Sequence, residues 1–391
     1  MSDPSLLLPE HSLLLHIGPH KTGTTALQGA FNQARPRLAE FGVRYAGNER
    51  RPARAIYALT GKAPRRGEPP PSRALWNRLV REINTAEEPR VVLSSESFAA
   101  GDDTIPPIVY DSFRGRNPHL VVTLRPLSHI LPSQWQQYVQ NGLRLRYQRW
   151  LEKMFNEPDA GLGAQFWLRH DHGALVKRWV SAFGADNCTV VVADETDRGM
   201  LLRVFEQMAG LPEGLLVPEE GRLNRSLSYG EAELHRRLNI AFHEYGWDDV
   251  QYAKLLRHGM VAHLQLNYEP GEGAPRIVTP KWAVERAAEI GARSAATIAG
   301  LGVRVVGDLD SIGRAREADL VAGAAEAPPA SLPMRAVTQA MIGLIIGSQT
   351  KAPIEIVMDK QQLSTWARVR RLLRRGGEAA DAQEACDDLD E

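Results

Sequence analysis

The sequence predicts an α/β fold, a parallel β-sheet flanked by helices, with a mainly helical C-terminal extension. Four short apolar runs have the composition of buried strands, and they lie at residues 13–17, 90–97, 119–125 and 188–192. Helical patterns separate these runs, and strands that alternate with helices are typical of parallel sheets. A glycine-bearing turn at residues 18–23 joins the first run to the first helix.

The other elements of the predicted domain follow in chain order. Helices are expected at residues 24–40, 74–85, 106–115, 127–140, 170–183, 229–244 and 280–301, and a further helix opens at 193–197 and runs to 210. Short strands are expected at 42–45 and 302–306, and the prolines at 69, 70 and 71 predict a loop over residues 61–72. Ser228 and Glu231 have the spacing of a capping box, which predicts where the helix at 229–244 begins.

The length of 391 residues permits one large domain or two to three smaller ones. We expect an α/β domain over residues 1–313 and an extension over residues 314–391. In the extension, residues 331–346 predict an apolar helix and residues 361–375 a basic one. The acidic residues 378–391 have the composition of a disordered tail.

Charge and cysteine content argue against several classes of function. Lys+Arg and Asp+Glu both number 47, so no global field attracts nucleic acid or an anionic membrane, and an anion site must be built locally. Cys188 and Cys386 have no metal-ligand spacing, and a reducing compartment is expected. The first nine residues lack the pattern of a secretory signal, and no apolar run approaches the ~20 residues that span a bilayer. We therefore expect a cytoplasmic protein without a transmembrane segment.

The stretch from residue 13 to residue 28 predicts a strand, an anion-binding loop and a helix. Gly18 and Gly23 allow a tight turn, so that successive N–H groups can converge on an oxyanion at the N-terminus of the helix. The spacing from Gly18 to Gly23 has the outline of a Walker phosphate loop, but Thr24 stands where that motif has its lysine. The lysine lies earlier, at Lys21, so it cannot meet the phosphates of a nucleoside triphosphate in the Walker manner.

The loop resembles instead the 5′-phosphosulfate loop of sulfotransferases that use 3′-phosphoadenosine 5′-phosphosulfate (PAPS). In that family lysine, Ser/Thr, glycine and threonine follow a strand, and a further threonine or small residue comes next. The matching residues here are Lys21, Thr22, Gly23, Thr24 and Thr25. The resemblance implies that these five residues bind the 5′ end of the donor. The alternative is an ordinary glycine-bearing turn without a ligand.

A second motif begins where the strand at 119–125 ends. Arg125 and Ser133 are eight residues apart, and a helix between them brings Ser133 two turns beyond the strand end, where it can face the same ligand. This arrangement resembles the 3′-phosphate motif of the same family. An arginine fork suits phosphate oxygens, and the 3′-phosphate is the group that distinguishes PAPS from ATP.

Glu96 is the candidate catalytic base. It comes at the end of the apolar run that begins at residue 90, and in open parallel sheets ligands bind at the carboxyl ends of the strands. The resemblance is to carbohydrate-type and bacterial sulfotransferases, in which a glutamate can be the base. The alternative is that Glu96 caps a helix or turn beside Ser97. Asp194 and Glu195 precede a helix, and we interpret them as caps rather than as catalytic residues, because acidic residues ahead of a helix are more often caps.

Two other stretches are candidates for substrate contacts. Basic and aromatic residues alternate around residues 144–155, which suits either an acceptor surface or a packed helix, and the apolar stripe containing Trp150 favours packing. The family's small-molecule enzymes complete the 3′-phosphate site with an Arg-Lys-Gly loop. That sequence is absent here, and Asn224, Arg225 and Ser226 are candidate substitutes.

The resemblance implies a P-loop sulfotransferase-like fold and transfer of a sulfuryl group from PAPS to an acceptor hydroxyl, expected on a carbohydrate or glycoconjugate. A small alcohol or a modified secondary metabolite is also compatible with the residues. The partners are then a nucleotide donor and a hydroxyl-bearing acceptor. Lys21 would stabilise charge on the leaving phosphate, Glu96 would take the acceptor proton, and no metal is required. Two alternatives remain open: a P-loop nucleotide kinase and a catalytically silent nucleotide-binding scaffold.

Overall fold

The computed structural model describes residues 6–64, 68–219, 225–272, 274–315 and 327–349. Within these residues six strands form one sheet: β1 Ser12–His16, β2 Val43–Tyr45, β3 Arg90–Ser94, β4 Pro118–Leu124, β5 Cys188–Val192 and β6 Arg304–Val306. The strand order is β2-β3-β1-β4-β5-β6, and every neighbouring pair is parallel. The predicted α/β class with a parallel sheet is confirmed.

The direction of winding changes at β1. From β1 the chain crosses to β2 and β3, which lie on one side of β1 within the sheet, and then to β4, which lies on its other side. Leu14 of β1 therefore lies between Val92 of β3 and His119 of β4. In open parallel sheets this kind of switch leaves a crevice outside the carboxyl ends of the strands, and ligands bind there. The crevice lies at the ends of β1, β3 and β4.

Helices cover both faces of the sheet because the strands are apolar on both sides. The helices before β5 are α1 Thr24–Leu38, α2 Ala53–Thr60, α3 Ala74–Asn84, α4 Ile105–Phe113, α5 Leu127–Gln140, α6 Tyr147–Asn156, α7 Gly161–His170 and α8 His172–Phe183. Leu13 and Leu15 of β1 pack on one face among side chains of α3, α4 and α8. Leu14 packs on the opposite face with side chains of α1 and of the helix α9, Met200–Ala209. This alternation is the two-residue period of a strand, and it explains the continuous apolar runs.

One predicted helix is divided in the structure. Residues 170–183 were expected to be a single helix, but α7 ends at His170 and α8 begins at His172. Asp171 separates them, and its carboxylate accepts a hydrogen bond from the Ala174 N–H at 3.0 Å. The aspartate therefore acts as the N-cap of α8, because it satisfies one of the free donors of the first turn.

A third core lies beside the sheet and is helical. Here α5, α6 and α7 pack with α10 Tyr229–Glu244 and α13 Lys281–Ala299, around Trp135, Tyr147 and Trp150. Trp150, Leu151 and Met154 are fully buried. The packing interpretation of this basic and aromatic stretch is thus confirmed, and its apolar residues do not form an acceptor surface.

The last described helix packs on this helical core through glycines. Helix α14, Met334–Gln349, lies against a π-helix at Ala253–Val261, which is preceded by α11 Asp249–Tyr252 and followed by α12 Ala262–Asn267. A Cβ atom at Gly343 would lie 2.7 Å from the Cα atom of Met260, so only glycine permits this approach. The expected basic helix at 361–375 and the acidic tail at 378–391 lie outside the described residues. Among the helices that are described, none is long and apolar enough to cross a membrane.

Candidate functional site

The loop between β1 and α1 approaches the end of β3 closely. Gly18 has a φ angle of 84°, and a Cβ atom added to it would lie 2.8 Å from the Cβ atom of Glu96. Any side chain at Gly18 would therefore push the loop and Glu96 apart. The first predicted motif and the candidate base consequently lie side by side at the sheet edge.

Helix α1 begins with an uncapped turn. Its N-cap is Gly23, with a φ angle of 94°, and no side chain caps the helix. Thr24 and Thr25, the first two residues of the helix, follow it; the side chain of Thr24 is buried and that of Thr25 is exposed. The first N–H groups of a helix carry partial positive charge and lack intrahelical acceptors, so this end of α1 suits an anion.

Lys21 has an unusual backbone conformation and a sparse set of contacts. Its φ angle is 70°, in the left-handed region that costs of order 1–3 kcal/mol for a residue other than glycine. Its ammonium group donates to the Gln137 Oε1 atom of α5 at 3.4 Å. Burial lowers the pKa of the Lys21 amine from its usual value. Because burial disfavours the charged amine, an anion that bound beside Lys21 would stabilise its ammonium form.

Thr22 is used differently from the sequence interpretation. Its hydroxyl donates to the Pro19 carbonyl oxygen at 2.7 Å and lies 2.7 Å from the Thr123 Oγ1 atom of β4. The side chain thus fastens the loop to the neighbouring strand. Only the backbone N–H of Thr22 is then left to act on a ligand.

A row of buried polar side chains crosses the sheet beneath the loop. His16, the last residue of β1, has its Nδ1 atom 2.8 Å from the Ser94 hydroxyl of β3. Its Nε2 atom lies 3.0 Å from the Thr123 hydroxyl of β4, which in turn meets Thr22. Burial lowers the pKa of His16 to about 3, so the ring is neutral at pH 7. This row connects β3, β1, β4 and the loop, and sequence reasoning missed it.

Glu96 is buried, and two side chains hold its carboxylate. It lies in a 3₁₀ helix, Glu96–Ala100, whose N-cap is Ser95. Gln28 of α1 donates to the Glu96 Oε2 atom at 2.9 Å, and Arg51 forms an ion pair with the other oxygen. Glu96 therefore does more than cap a turn, since α1 and the chain before α2 both fix the position of its carboxylate.

Arg125 has a carboxylate partner in this structure. It follows β4, its side chain is about a third exposed, and it forms an ion pair with Glu195. His129 of α5 contacts the same carboxylate, with its Nδ1 atom 2.5 Å from Oε1. The interpretation of Asp194 and Glu195 as helix caps is wrong, because the N-cap of α9 is Gly199 and no side chain caps it. Asp194 instead accepts from the Thr196 N–H at 2.8 Å in the turn before α9. Ser133 lies half-buried on α5, two turns after Arg125.

The two predicted motifs share one sheet edge. Thr123 binds Thr22 of the loop, and Arg125 follows Thr123 by two residues along the same strand end. Lys21 reaches Gln137 on α5, the helix that also carries Ser133. Loop, base and arginine therefore surround the crevice at the switch point.

The candidate loop at residues 224–226 is only partly described. Asn224 lies outside the described residues. Arg225 forms an ion pair with Glu231 at 2.7 Å and also donates to the Leu264 carbonyl oxygen at 2.9 Å. These contacts occupy the arginine in packing α10 against α12. The capping box of Ser228 and Glu231 is present as predicted.

Comparisons with known proteins give a distant similarity to a solved structure. No family model matches the chain, and no curated protein matches its sequence. Among solved structures, the chain is similar to a crystal structure of a sulfotransferase from Alicyclobacillus acidocaldarius, with 15% identity and a TM-score of 0.40. The match covers 61% of this chain and 97% of that one. At this identity and TM-score the similarity does not identify a function. In the part of the chain that the structure describes, no group of three or more metal-ligating side chains is found.

Proposed function

We propose that the protein transfers a sulfuryl group from PAPS to an acceptor hydroxyl, on a carbohydrate or glycoconjugate. The observation that carries this proposal is the shared edge at the switch point, where Lys21 with its loop, the end of β4 with Arg125, and a buried carboxylate lie together. A donor with anionic groups at both ends of one nucleoside requires two separate cationic sites on one surface. The displaced lysine argues against the Walker arrangement of a kinase.

The 5′-phosphosulfate is assigned to the loop and the start of α1. The ammonium group of Lys21 and the N–H groups of Thr22, Gly23, Thr24 and Thr25 are its donors. The uncapped helix end supports this assignment because its free N–H groups and its dipole favour an anion. The hydroxyl of Thr22 contributes indirectly, by holding the loop against β4.

The 3′-phosphate is assigned to Arg125 and Ser133. Arg125 already binds an oxyanion, the Glu195 carboxylate, which supports its ability to bind a phosphate in the same place. The phosphate must then displace Glu195 or share the guanidinium with it. Donor binding is therefore an exchange of one ion pair for another.

The residues at this edge include a proton acceptor and a cation, the two groups that the proposed transfer requires. The acceptor oxygen attacks sulfur in line, the bond between sulfur and the bridging phosphate oxygen breaks, and adenosine 3′,5′-bisphosphate (PAP) leaves. Glu96 takes the acceptor hydroxyl proton, and Lys21 stabilises the negative charge that develops on the leaving oxygen. Arg51 has to open its ion pair for Glu96 to meet that proton, while Gln28 keeps the carboxylate in position.

The proposal is tested with PAPS that carries labelled sulfate. The purified protein is incubated with the donor and a lysate of its native cell, and labelled products are identified. We expect label on a hydroxyl-bearing product, and at least about 100-fold slower labelling with Lys21→Ala. Tighter binding of ATP with magnesium than of PAP would contradict the donor assignment, and PAP binding without transfer to any acceptor would support a silent scaffold.

A further inference from the structure

Four polar side chains near Lys21 carry buried atoms without a hydrogen-bond partner among the described residues. These atoms are His20 Nδ1, Gln134 Oε1, Arg169 Nε and both ring nitrogens of His170. We call His20, Gln134, Arg169 and His170 the α5–α7 cluster. A buried polar atom left unpaired costs roughly 1–3 kcal/mol, and such atoms are rare in folded proteins. Several together indicate that ordered water or a ligand supplies the missing partners.

The cluster is continuous with the proposed reaction centre. Lys21 donates to Gln137, and the next residue of α5, Tyr138, accepts a hydrogen bond from Arg169 at 2.6 Å. Gln134 lies one turn earlier on α5, on the same helix face as Tyr138. Helix α7, which carries Arg169 and His170, packs against the 3₁₀ helix that begins with Glu96. The cluster therefore borders both the proposed base and the proposed phosphosulfate lysine.

The unpaired atoms specify a ligand with both donors and acceptors. Burial, together with the charges of Arg169 and Lys21, holds the pKa of His20 and of His170 well below the usual value. Each ring is therefore neutral and offers one N–H donor and one acceptor nitrogen. The Gln134 oxygen can only accept, and the Arg169 nitrogen can only donate. Several hydroxyl groups on one molecule meet this mixture of requirements.

Arg169 adds a requirement for negative charge. Its guanidinium contacts the hydroxyl of Tyr138 and lies 6.0 Å from the centre of that ring. Across the described ranges, no carboxylate forms an ion pair with it. Lys21 is assigned to the donor, and Arg51 is paired with Glu96 before the acceptor binds. Arg169 is thus a cation of this region that can pair with an acceptor.

We propose that the α5–α7 cluster is the acceptor subsite, and that the acceptor is a polyhydroxylated molecule with an anionic group, such as a uronate. Its carboxylate binds Arg169, and its hydroxyls bind His170 and Gln134. Phe166, whose ring centre is 4.6 Å from that of His170, fixes the imidazole orientation. This inference rests on the proposed function, because the position of the cluster beside Glu96 defines it as an acceptor site.

The test measures binding rather than turnover. The protein saturated with PAP is titrated calorimetrically with methyl β-glucuronide and with methyl β-glucoside, which lacks the carboxylate. We expect the glucuronide to bind at least about tenfold more tightly, a difference of ~1.4 kcal/mol. Arg169→Gln and His170→Gln should each weaken glucuronide binding at least about tenfold. His172→Gln is the matched control, since His172 is also buried with an unpaired ring nitrogen but begins α8.

The possible results separate this inference from the donor assignment. Equal affinity for the two glycosides, or glucuronide binding unchanged in both variants, overturns the proposed subsite. If Arg169→Gln weakens binding of PAPS but not of PAP, the cluster holds the sulfuryl group of the donor and the acceptor assignment is wrong. If the wild type fails to bind PAP but binds the glucuronide with the expected response to the variants, the cluster stands and the donor assignment falls. Thermal unfolding of each variant checks that it is folded, and Arg169→Lys provides a milder change that keeps the charge.

Discussion

Replacing Glu195 by glutamine is expected to tighten the binding of PAP. The Glu195 carboxylate forms an ion pair with Arg125, the residue proposed to hold the 3′-phosphate. In the wild type the phosphate has to compete with this carboxylate and then stay close to its negative charge. Glutamine removes the charge but keeps an oxygen that can accept from the guanidinium, so the arginine stays in place.

The expected gain follows from the exposure of the pair. Two unit charges ~4 Å apart interact by about 1 kcal/mol in bulk water and about 4 kcal/mol near a protein surface. The side chains of Arg125 and Glu195 are 33% and 26% exposed, so solvent screens them and the lower part of this range applies. We expect a gain of ~1.4 kcal/mol, which is a tenfold lower Kd.

The assay compares two nucleotides by isothermal titration calorimetry. PAP carries the 3′-phosphate and adenosine 5′-monophosphate lacks it, so only PAP should bind more tightly to Glu195→Gln. Asp194→Asn is the matched control: it makes the same change of charge one residue away, at a carboxylate engaged with Thr196. Equal tightening for both nucleotides, or for both variants, would refute the reasoning, and weaker PAP binding in Glu195→Gln would refute it outright.

Three further predictions concern the loop, the row beneath it and the C-terminal helix. Lys21→Ala should lower kcat by at least about 100-fold and change the free energy of unfolding by less than about 1 kcal/mol. A loss of folding free energy as large as the loss of transition-state stabilisation would contradict the assignment. The pKa of His16 is lowered from 6.5 to about 3 in the folded state, so below pH 6.5 the unfolded chain takes up a proton that the folded protein does not. The free energy of unfolding is therefore highest above pH 6.5 and falls as the pH falls towards 3. Between pH 7 and 5 the wild type should therefore lose about 2 kcal/mol more than His16→Gln in urea unfolding, and parallel curves would exclude this role. Gly343→Ala should destabilise the folded protein by ~1–3 kcal/mol because its Cβ would meet Met260. Gly115→Ala is the control, since open space surrounds Gly115 and no such loss is expected. Thermal unfolding of the two variants compares them.

The fold was largely predictable because its signals are local. The bounds of α5 and of α10 were predicted to the residue, those of α5 from its apolar period and the start of α10 from the Ser228 and Glu231 box. The four central strands β1, β3, β4 and β5 were found because burial on both faces makes their runs continuously apolar. Helix α2 was missed because it is short, at 8 residues, and follows the proline at position 52. The division between α7 and α8 was missed because a single aspartate makes it.

The site was predictable only where a motif lies within one segment. The loop from Gly18 to Thr25 and the spacing of Arg125 to Ser133 are of that kind. The pairs that set their chemistry join distant segments: His16 to Ser94 across 78 positions, and Arg125 to Glu195 across 70. The residues around His16 and Arg125 do not specify Ser94 and Glu195 as partners, since the strand order of the folded sheet brings these pairs together. A polar residue ending a buried strand, as His16 does, is the one signal that was available.

The ion pairs at the sheet edge also determine how salt should affect donor binding. An exposed arginine without a partner attracts counterions, and a phosphate that binds it releases them, so affinity falls steeply with salt. Arg125 is already paired with Glu195, and PAP would replace one anion by another with little counterion release. We therefore expect the Kd of PAP to depend weakly on salt in the wild type, from about 0.05 to 0.5 M. In Glu195→Gln the same arginine lacks that carboxylate, so the dependence should be steeper. Identical slopes in the two proteins would mean that the 3′-phosphate does not meet Arg125.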